Sequence, residues 1–413
     1  MANSQVLWNK RVGEELARAG HNVTIFLLDM FENEAAVVTF DPSVHVVSVN
    51  MSVGHSIKEL QQMQSDTAFK NIPLWDKRMR AMMEKFGDMW RTCEVMVKNK
   101  ALIDTIRDSH FDVAFTHMYN FCQIGVIHLT EIPTWVWLNS GALMDNVAET
   151  KSFVGHIMYK IFWRRMMVDS ETAMFKREFG DDFPDLADLA KEVNTSSSLS
   201  LLPQAPLVMV NSNELYDFAR PILAKIINIG GLGIKASNAK ELTGEFASRV
   251  KRAKQGIVVM TFGSVAPMYL MPKEWRDAFF AAFRQFPDVE FFIRYEYPDL
   301  IKDILPLNAL GLISHGGYNS LQDSIHAAKP ILTIGLFGDQ FRNAHLAARL
   351  GLGVNLKKDD VNMESVHAKV EQLIRDPSLK EAALRLREMV ATRPIASETL
   401  LVKWTEFLIQ HKY

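Results

Sequence analysis

Hydrophobic positions along this chain switch repeatedly between helical spacing and short continuous runs. In residues 6–19 apolar side chains recur at the spacing of a helix face, and Gly20 follows as a stop signal. Residues 21–28 then form a short, mainly apolar run of the kind that makes a buried parallel strand. Because this helix-glycine-strand unit recurs, the pattern predicts parallel sheets joined by crossover helices.

The pattern predicts two successive series of elements. The first has strands at 111–115, 133–138 and 207–210. Its predicted helices lie at 75–108, between the strand 111–115 and residue 130, and at 151–179, and a polar loop lies at 195–198. The second has strands at 257–262, 290–293, 310–314, 331–334 and 353–355, and helices near 273–285, 320–328, 342–350, 363–375, 379–392 and 395–410. The Met, Phe and Trp side chains of helices 75–108 and 151–179 fit either helix packing or an acceptor-binding surface.

The length of the chain indicates two domains. At 413 residues it is too long for one ordinary core and suits two domains of roughly 200 residues each. The glycine-containing stretch 221–237 lacks periodicity, which favours a domain boundary there. We therefore expect a first domain over 1–220, a linker at 221–237, a second domain over 238–394, and a final helix in 395–413 that packs back on the first domain. The predicted fold class is α/β, with two parallel-sheet domains facing across a cleft.

Composition and charge narrow the classes of function. Hydrophobic residues make up 48% and charged residues 23% of the chain, as in folded globular proteins. The formal net charge of −2 gives no basic surface for nucleic acid, so a small-molecule partner fits better. Cys93 and Cys122 are expected to be ordinary buried thiols and not a disulfide framework. The start of the chain lacks the layout of a signal peptide, and no apolar run reaches the ~18 residues of a transmembrane helix.

The segment 312–323 carries the strongest indication of chemistry. A predicted strand ends there, Gly316 and Gly317 allow a tight turn, and Asn319 and Ser320 stand where a helix would begin. This order places backbone N–H groups and the positive end of a helix dipole at the carboxyl end of a strand, an arrangement that suits phosphate. Asn and Ser are also preferred helix caps, so capping alone is the alternative explanation of these two residues.

Two later groups extend this pattern. Asp323 lies about two helical turns beyond His315 and could accept hydrogen bonds from ribose hydroxyls. A solvated carboxylate on a helix face is the alternative. Asp339 and Gln340 follow the predicted strand 331–334 at its carboxyl end, the edge where ligands of open α/β sheets gather. A carboxylate and an amide there could bind the hydroxyls of a sugar, or they could simply open the next helix.

The polar and glycine positions of this region keep the spacing of a known family. The run His-Gly-Gly-x-Asn-Ser-x-x-Asp from His315, followed by Pro330 and then Asp339-Gln340, closely resembles the signature of the UDP-glycosyltransferases. The likeness is strongest to the UDP-glucuronosyltransferase branch and its invertebrate members. Further family landmarks are found at 19–24, 210–212, 221 with 229–231, and 261–264. The resemblance covers nearly the whole chain.

The resemblance implies a GT-B fold of two Rossmann-like domains, the first for a lipophilic acceptor and the second for a UDP-sugar. It implies that the diphosphate is held by Ser264, His315, Gly316, Gly317, Asn319 and Ser320. Asp323, where the family usually has Glu, would bind the ribose, and Asp339 with Gln340 the sugar. No metal and no cofactor are expected, because the UDP-sugar is a co-substrate and the helix dipole, backbone amides and His315 would stabilise the departing UDP.

The chain departs from the family at the catalytic base. In the family a His before the first long helix deprotonates the acceptor hydroxyl, an Asp orients that His, and the sugar is transferred with inversion. Here the position of the base falls at or beside Gln5, which has no useful pKa for this role. The position of the orienting Asp, after the strand 111–115, is occupied by His117. His117 is thus a candidate substitute base, and a structural histidine is the alternative.

Further departures from the family concern the element that contacts uracil and the segments that direct the family to the membrane. Between Arg294 and His315 the Trp-x-Pro-Gln element that contacts uracil is not recognisable, and Pro306, Leu307 and Asn308 are its candidate remnant. Loss of base stacking would weaken UDP binding by ~1 to 3 kcal/mol. The family resembles endoplasmic-reticulum membrane proteins that face the lumen, but its signal peptide and membrane helix are not found in this chain. A truncated gene model or splice form would explain these gaps together.

Two functions are open on the sequence alone. The first is transfer of glucuronate or glucose from the UDP-sugar to a hydroxyl of a small lipophilic compound, as in detoxification. The second is a catalytically silent protein that keeps a UDP-sugar or acceptor pocket and acts as a homo- or hetero-oligomeric partner of active relatives. A nicotinamide-dependent oxidoreductase is disfavoured, because no predicted strand is followed by Gly-x-Gly-x-x-Gly with an acidic residue about 20 positions on.

Overall fold

Three parallel sheets organise the chain within the residues that the structure describes. The computed structural model describes residues 3–30, 38–54, 56–73, 75–117, 121–142, 164–190, 207–234, 242–263, 266–294 and 309–411. The sheets have two, four and five strands. The predicted parallel α/β architecture is therefore present, with the strands of the first half divided between two sheets.

We call the described residues up to 234 the first half of the chain and those from 242 the second half. The two sheets of the first half contain strands β1 to β6. The smaller sheet pairs β1 (Val23–Asp29) with β2 (Val44–Asn50). The larger has the order β3-β4-β5-β6, formed by Ala114–Thr116, Trp135–Asn139, Leu207–Val210 and Ile226–Asn228. β4 and β5 are almost wholly buried, as expected for strands covered on both faces. β2 and β6 were not predicted, and β6 extends the first sheet into the stretch expected to be a linker.

The second half holds a single sheet of order β11-β10-β9-β7-β8. Its strands, in chain order from β7, are Gly256–Thr261, Val289–Ile293, Ala309–Ser314, Ile331–Thr333 and Gly353–Asn355. β9 and β10 lie side by side in parallel, so their carboxyl ends meet at one edge. The candidate residues after these two strands are brought together by this pairing.

Helices fill the connections between strands. The first half has α1 (Asn3–Arg18), α2 (Ile57–Ala68), α3 (Lys77–Trp90), α4 (Thr92–Lys98), α5 (Lys100–Asp108), α6 (Cys122–Leu129), α7 (Asp169–Phe179) and α8 (Leu186–Leu189). The second half has α9 (Gly244–Arg252), α10 (Lys273–Phe283), α11 (Tyr318–His326), α12 (Gln340–Arg349), α13 (Met363–Arg375) and α14 (Pro377–Ala391), followed by α15 (Ser397–His411). None of the helices in the described ranges has the length and apolar character needed to span a bilayer.

The long helix predicted at 75–108 is three helices, α3 to α5. Asn99 leaves the helical conformation, with φ −82° and ψ 77°, and its side chain accepts a hydrogen bond from the Leu102 backbone as the cap of α5. Of the helix predicted at 151–179, only the part from residue 164 onward is described, as a π-helical turn and α7. The polar loop at 195–198 lies outside the described residues.

α15 packs against the first half. Leu401 and Leu408 of α15 share a hydrophobic core with Trp8 and Val12 of α1. Just before α15, Arg393 donates through Nε and Nη2 to the Glu214 carboxylate, both at 2.9 Å. The chain thus forms the first half, then the second half, and ends with a helix, α15, that packs on the first half again.

Cys93 of α4 and Cys122 of α6 form a disulfide, with their Cα atoms 5.7 Å apart. The prediction of ordinary buried thiols is wrong. The two residues are 29 positions apart in sequence, and their spacing carries no pairing information. Their proximity arises from the hydrophobic core that both helices share, in which the two cysteines are almost fully buried.

Candidate functional site

The turn between β9 and α11 has the geometry of an anion site. Gly316 has a φ of 84°, and a Cβ there would lie 3.0 Å from the carbonyl oxygen of Gln340, so glycine is required. α11 begins at Tyr318 with Gly317 as its N-cap, and within the described residues no side chain caps this helix start. The N–H groups of its first turn are therefore available to a phosphate at the positive end of the helix dipole.

His315 is seated between two glycines. A Cβ at Gly263 would lie 2.9 Å from Cε1 of His315, and a Cβ at Gly317 would lie 2.6 Å from Nε2. On the other side of the ring, the Ser314 hydroxyl lies 3.2 Å from Nδ1. Burial, assisted by the charge of Arg294, lowers the pKa of His315 to about 4. At neutral pH the imidazole is uncharged and can donate one N–H to a phosphate oxygen.

The carboxyl end of β10 places Asp339 and Gln340 beside this turn. Asn343 of α12 joins the two segments, because its Nδ2 donates to the Gly316 carbonyl at 3.0 Å and to Asp339 Oδ2 at 2.9 Å. The side-chain oxygen of Gln340 accepts from the backbone N–H of Leu336 at 2.9 Å and from the next residue at 3.1 Å. The glycine turn and the Asp-Gln pair are thus joined through Asn343.

Asp339 remains a hydrogen-bond acceptor in this setting. Burial raises the pKa of its carboxyl group, and the hydrogen bond from Asn343 acts in the opposite direction. Sequence reasoning missed Asn343. Its position four residues after Asp339, on the same face of α12, was the available signal.

Asn319 is oriented by a residue of the first half. Asn211, directly after β5, donates through Nδ2 to the Ser140 carbonyl at 2.9 Å and to Asn319 Oδ1 at 3.1 Å. Because Asn319 uses its oxygen toward Asn211, its amide nitrogen is the group it can offer to an anionic ligand. Asn211 was noted in the sequence only as part of a family landmark.

A buried polar network continues this contact between the halves. The Ser212 hydroxyl lies 2.9 Å from the Tyr318 hydroxyl at the start of α11. Asp217 accepts from Ser212 at 2.7 Å and forms ion pairs with Arg220 at 3.0 Å and with Arg342 of α12. The segment after β5 therefore fixes both α11 and α12. No local sequence pattern signals these pairings, because the bonds of Ser212 to Tyr318 and of Asp217 to Arg342 join residues more than a hundred positions apart.

Of the remaining candidate residues in the second half, the structure describes some and leaves others outside its described ranges. Ser320 and Asp323 lie on α11 and are half-buried. Ser264 and the uracil remnant at 306–308 lie outside the described residues. Within the described ranges, no three His, Cys, Asp or Glu side chains gather into a group that could hold a metal ion.

His117 lies in the first half, directly after β3. Asn9 Nδ2 of α1 lies 2.9 Å from His117 Nε2. An amide nitrogen only donates, so Nε2 accepts and the ring proton belongs on Nδ1. Gln5, one turn before Asn9, occupies the same face of α1. Burial lowers the pKa of His117 to about 4, against the effect of a hydrogen bond to the Leu138 backbone.

The whole chain matches one protein family. The sequence model of the family described as UDP-glucoronosyl and UDP-glucosyl transferase matches residues 1–413. The chain belongs to this family. This confirms the resemblance drawn from His315 to Gln340, and it makes the protein a UDP-glycosyltransferase, an enzyme class that transfers a sugar from a UDP-sugar.

Two relatives of this UDP-glycosyltransferase come from invertebrates. It is 25% identical to a Caenorhabditis elegans protein named as the UDP-glucuronosyltransferase ugt-48, over 99% of this chain and 84% of that protein. It is 24% identical to UDP-glucosyltransferase 2 of Dactylopius coccus, over 96% of this chain and 80% of that protein.

Solved structures confirm the predicted GT-B fold of this UDP-glycosyltransferase. The glycotransferase of kitacinnamycin superposes with a TM-score of 0.62 at 15% identity, over 98% of this chain and 94% of that one. LpCGTa in complex with UDP gives a TM-score of 0.60 at 13% identity, over 100% and 97% of the two chains. At these identities the likeness concerns the fold alone.

Proposed function

We propose that this UDP-glycosyltransferase moves glucuronate or glucose from the UDP-sugar to a hydroxyl of a small lipophilic acceptor, with inversion at the anomeric carbon. The observation that carries the proposal is the junction made by Asn343, which holds the turn before α11 against Asp339. A diphosphate at that turn would direct its sugar toward Asp339 and Gln340. The names of the invertebrate relatives support glucuronate and glucose as the sugars.

In this proposal the donor lies along the edge of the second sheet. The diphosphate is bound by the first-turn N–H groups of α11, by His315, by Asn319 and Ser320, and by Ser264 through its place in the family motif. The ribose is bound by Asp323. Residues 238–394 form the domain that holds the donor, and residues 1–220 form the domain that holds the acceptor.

The reaction breaks the bond between the anomeric carbon and the phosphate oxygen and forms a bond to the acceptor oxygen. The electron pair of the broken bond leaves with UDP. The helix dipole and the N–H groups of α11 would stabilise that charge, since the proposed position of the diphosphate is at the start of this helix. His315 would add a neutral N–H donor.

His117 is the proposed acceptor of the hydroxyl proton. Its lowered pKa keeps the imidazole neutral at pH 7, which a general base requires. Its Nε2 carries the lone pair, which accepts from Asn9 in the structure, so Asn9 would have to release Nε2 before the acceptor hydroxyl can transfer its proton. With a pKa of about 4, activity should stay level on acidification until the pH approaches that value. Unchanged turnover in His117→Ala would remove His117 from the reaction.

One pair of measurements tests the proposal. Calorimetry with UDP measures binding, and release of UDP from UDP-glucose and UDP-glucuronate over a panel of phenols measures turnover. We expect binding of UDP and release that depends on both the sugar donor and a phenol. Binding without turnover would favour the catalytically silent alternative, and failure to bind UDP would overturn the donor site.

A further inference from the structure

The end of α2 inserts a short segment of the first half into the second. We call residues 68–71 the plug. Phe69 is only 3% exposed and belongs to the hydrophobic core of the second sheet. Its ring lies 6.2 Å from that of Phe262 and 5.5 Å, edge-on, from that of Trp275. Phe262 directly precedes Gly263, the glycine that seats His315, so the plug lies behind the candidate donor site.

Lys358 clasps the plug to the second half. This residue is 8% exposed and lies in the short 3-10 turn Lys358–Asp360. Its ammonium donates to the carbonyls of Ala68 at 3.1 Å and Lys70 at 3.3 Å, and to the Leu336 carbonyl at 3.0 Å. An ammonium has three N–H groups, so all of its donors are used. A second bond joins the same segments, from Asn71 to the Asp359 carboxylate.

The peptide group between Leu336 and Phe337 connects this clasp to Gln340. Its carbonyl, that of Leu336, accepts from Lys358, and its N–H, that of Phe337, donates to the side-chain oxygen of Gln340 at 3.1 Å. The Lys358 ammonium thus holds one side of the peptide, and the Gln340 side chain holds the other. Hydrogen bonds arranged in such a chain polarise and orient one another.

We propose that Lys358 is a positioning residue for the sugar: it fixes Gln340 through the peptide group between Leu336 and Phe337, and it makes that position depend on the plug from the acceptor-binding half. The inference rests on the proposed function, which assigns the sugar to Asp339 and Gln340. Loss of the Lys358 contact would be transmitted through Gln340 to the sugar and not directly to the diphosphate. The diphosphate turn is held by other contacts, those of Asn343 and Asn211.

The choice of side chain agrees with this role. Burying an ammonium is costly unless every donor is satisfied, and packing alone would be served by an apolar residue such as Met. The flexible stem of Lys lets one compact charge reach three carbonyls from two halves of the chain. The planar guanidinium of Arg, with five donors in a fixed fork, does not match three converging carbonyls.

The test compares Lys358→Met with Lys357→Met, its exposed neighbour, as the matched control. For Lys358→Met we expect kcat/KM for the UDP-sugar to fall by about tenfold to a hundredfold, as for misplacement of a reacting group by ~1 Å. The Kd for UDP, measured by calorimetry, should change by less than about threefold, because UDP lacks the transferred sugar that Gln340 is proposed to bind. Lys357→Met should change neither quantity. Equal losses for UDP and UDP-sugar, or no loss at all, would overturn the proposal.

Hydrogen exchange supplies a readout that needs no substrate. The N–H groups of Leu336 and Phe337 are protected by Gln340, so the peptide 335–341 should exchange about tenfold faster in Lys358→Met than in Lys357→Met. Phe69→Leu, a milder change that loosens the plug, should accelerate the same peptide if Lys358→Met does not fold. Exchange that is identical in all variants contradicts the clasp. Failure of the unaltered protein to bind UDP would instead refute the proposed function and leave the exchange result interpretable.

Discussion

Replacing Glu171 with Gln should change how the stability of the first half depends on pH. Glu171, on α7, is 1% exposed. Its Oε2 accepts from the Phe121 backbone N–H at 2.8 Å, at the N-cap of α6, where Phe121 offers no capping side chain. Burial raises the pKa of Glu171 from 4.5 to about 7, and hydrogen bonds from the Phe121 and Cys122 backbone act in the opposite direction.

The size of the effect follows from the two pKa values. The difference of 7 minus 4.5 is about 2.5 pKa units, which corresponds to about 3 kcal/mol of unfolding free energy. Because the pKa is higher in the folded protein, the folded state holds the proton more tightly. The protonated Glu171 carboxyl contributes this full free energy of unfolding below pH 4.5, and the contribution is lost as the pH rises to about 7.

Urea unfolding followed by tryptophan fluorescence at pH 5 and pH 8 measures this loss. Gln keeps an oxygen for the Phe121 N–H but cannot ionise. Between those two pH values the unfolding free energy of Glu171→Gln should therefore rise by about 2 to 3 kcal/mol relative to the unaltered protein. Glu178→Gln, a partly exposed carboxylate on the same helix, should show no such rise. Parallel pH curves for Glu171→Gln and the unaltered protein would refute the assigned pKa and the burial argument behind it.

Three further predictions concern single contacts. Asn211→Asp removes the amide that orients Asn319, so calorimetry should give a Kd for UDP about tenfold higher, and an unchanged Kd would separate this contact from donor binding. Gly316→Ala places a Cβ 3.0 Å from a backbone carbonyl at a φ of 84°. This substitution should lower the unfolding free energy, measured by thermal unfolding, by roughly 1 to 3 kcal/mol, and it should abolish UDP binding. Retained UDP binding would show that the turn can shift. Reduction of the Cys93–Cys122 disulfide should lower the unfolding free energy by about 3 to 4 kcal/mol, and insensitivity of thermal unfolding to dithiothreitol would contradict this.

The fold was predictable where the apolar pattern within a segment is enough to indicate a strand or a helix. β5, β11 and α13 have the predicted bounds, because each is a continuous or periodic apolar run with clear ends. β6 has three residues and becomes a strand through pairing with β5, which no local pattern reveals. The same holds for the disulfide, since two cysteines are brought together only by the packing of their helices.

The candidate site was predictable only within one sheet. The meeting of the glycine turn with Asp339 and Gln340 follows from a general rule, that parallel neighbouring strands end at one edge. The roles of these residues toward a donor stay predictions. Asn211 bonds a residue 108 positions away, and Lys358 bonds one 290 positions away. Contacts of that kind depend on how the two halves dock, which the spacing of residues within each half does not encode.

The return of α15 to α1 makes the second domain an insertion into the first. A chimera that exchanged everything after a single crossover would bring a foreign α15 against α1, with Leu401 and Leu408 no longer matched to Trp8 and Val12. A chimera that exchanges only the proposed donor-binding domain therefore calls for two crossovers, one on each side of it. The same connectivity means that evolution could vary the segment between α1 and α15 that is proposed to bind the sugar while these two helices kept their shared core.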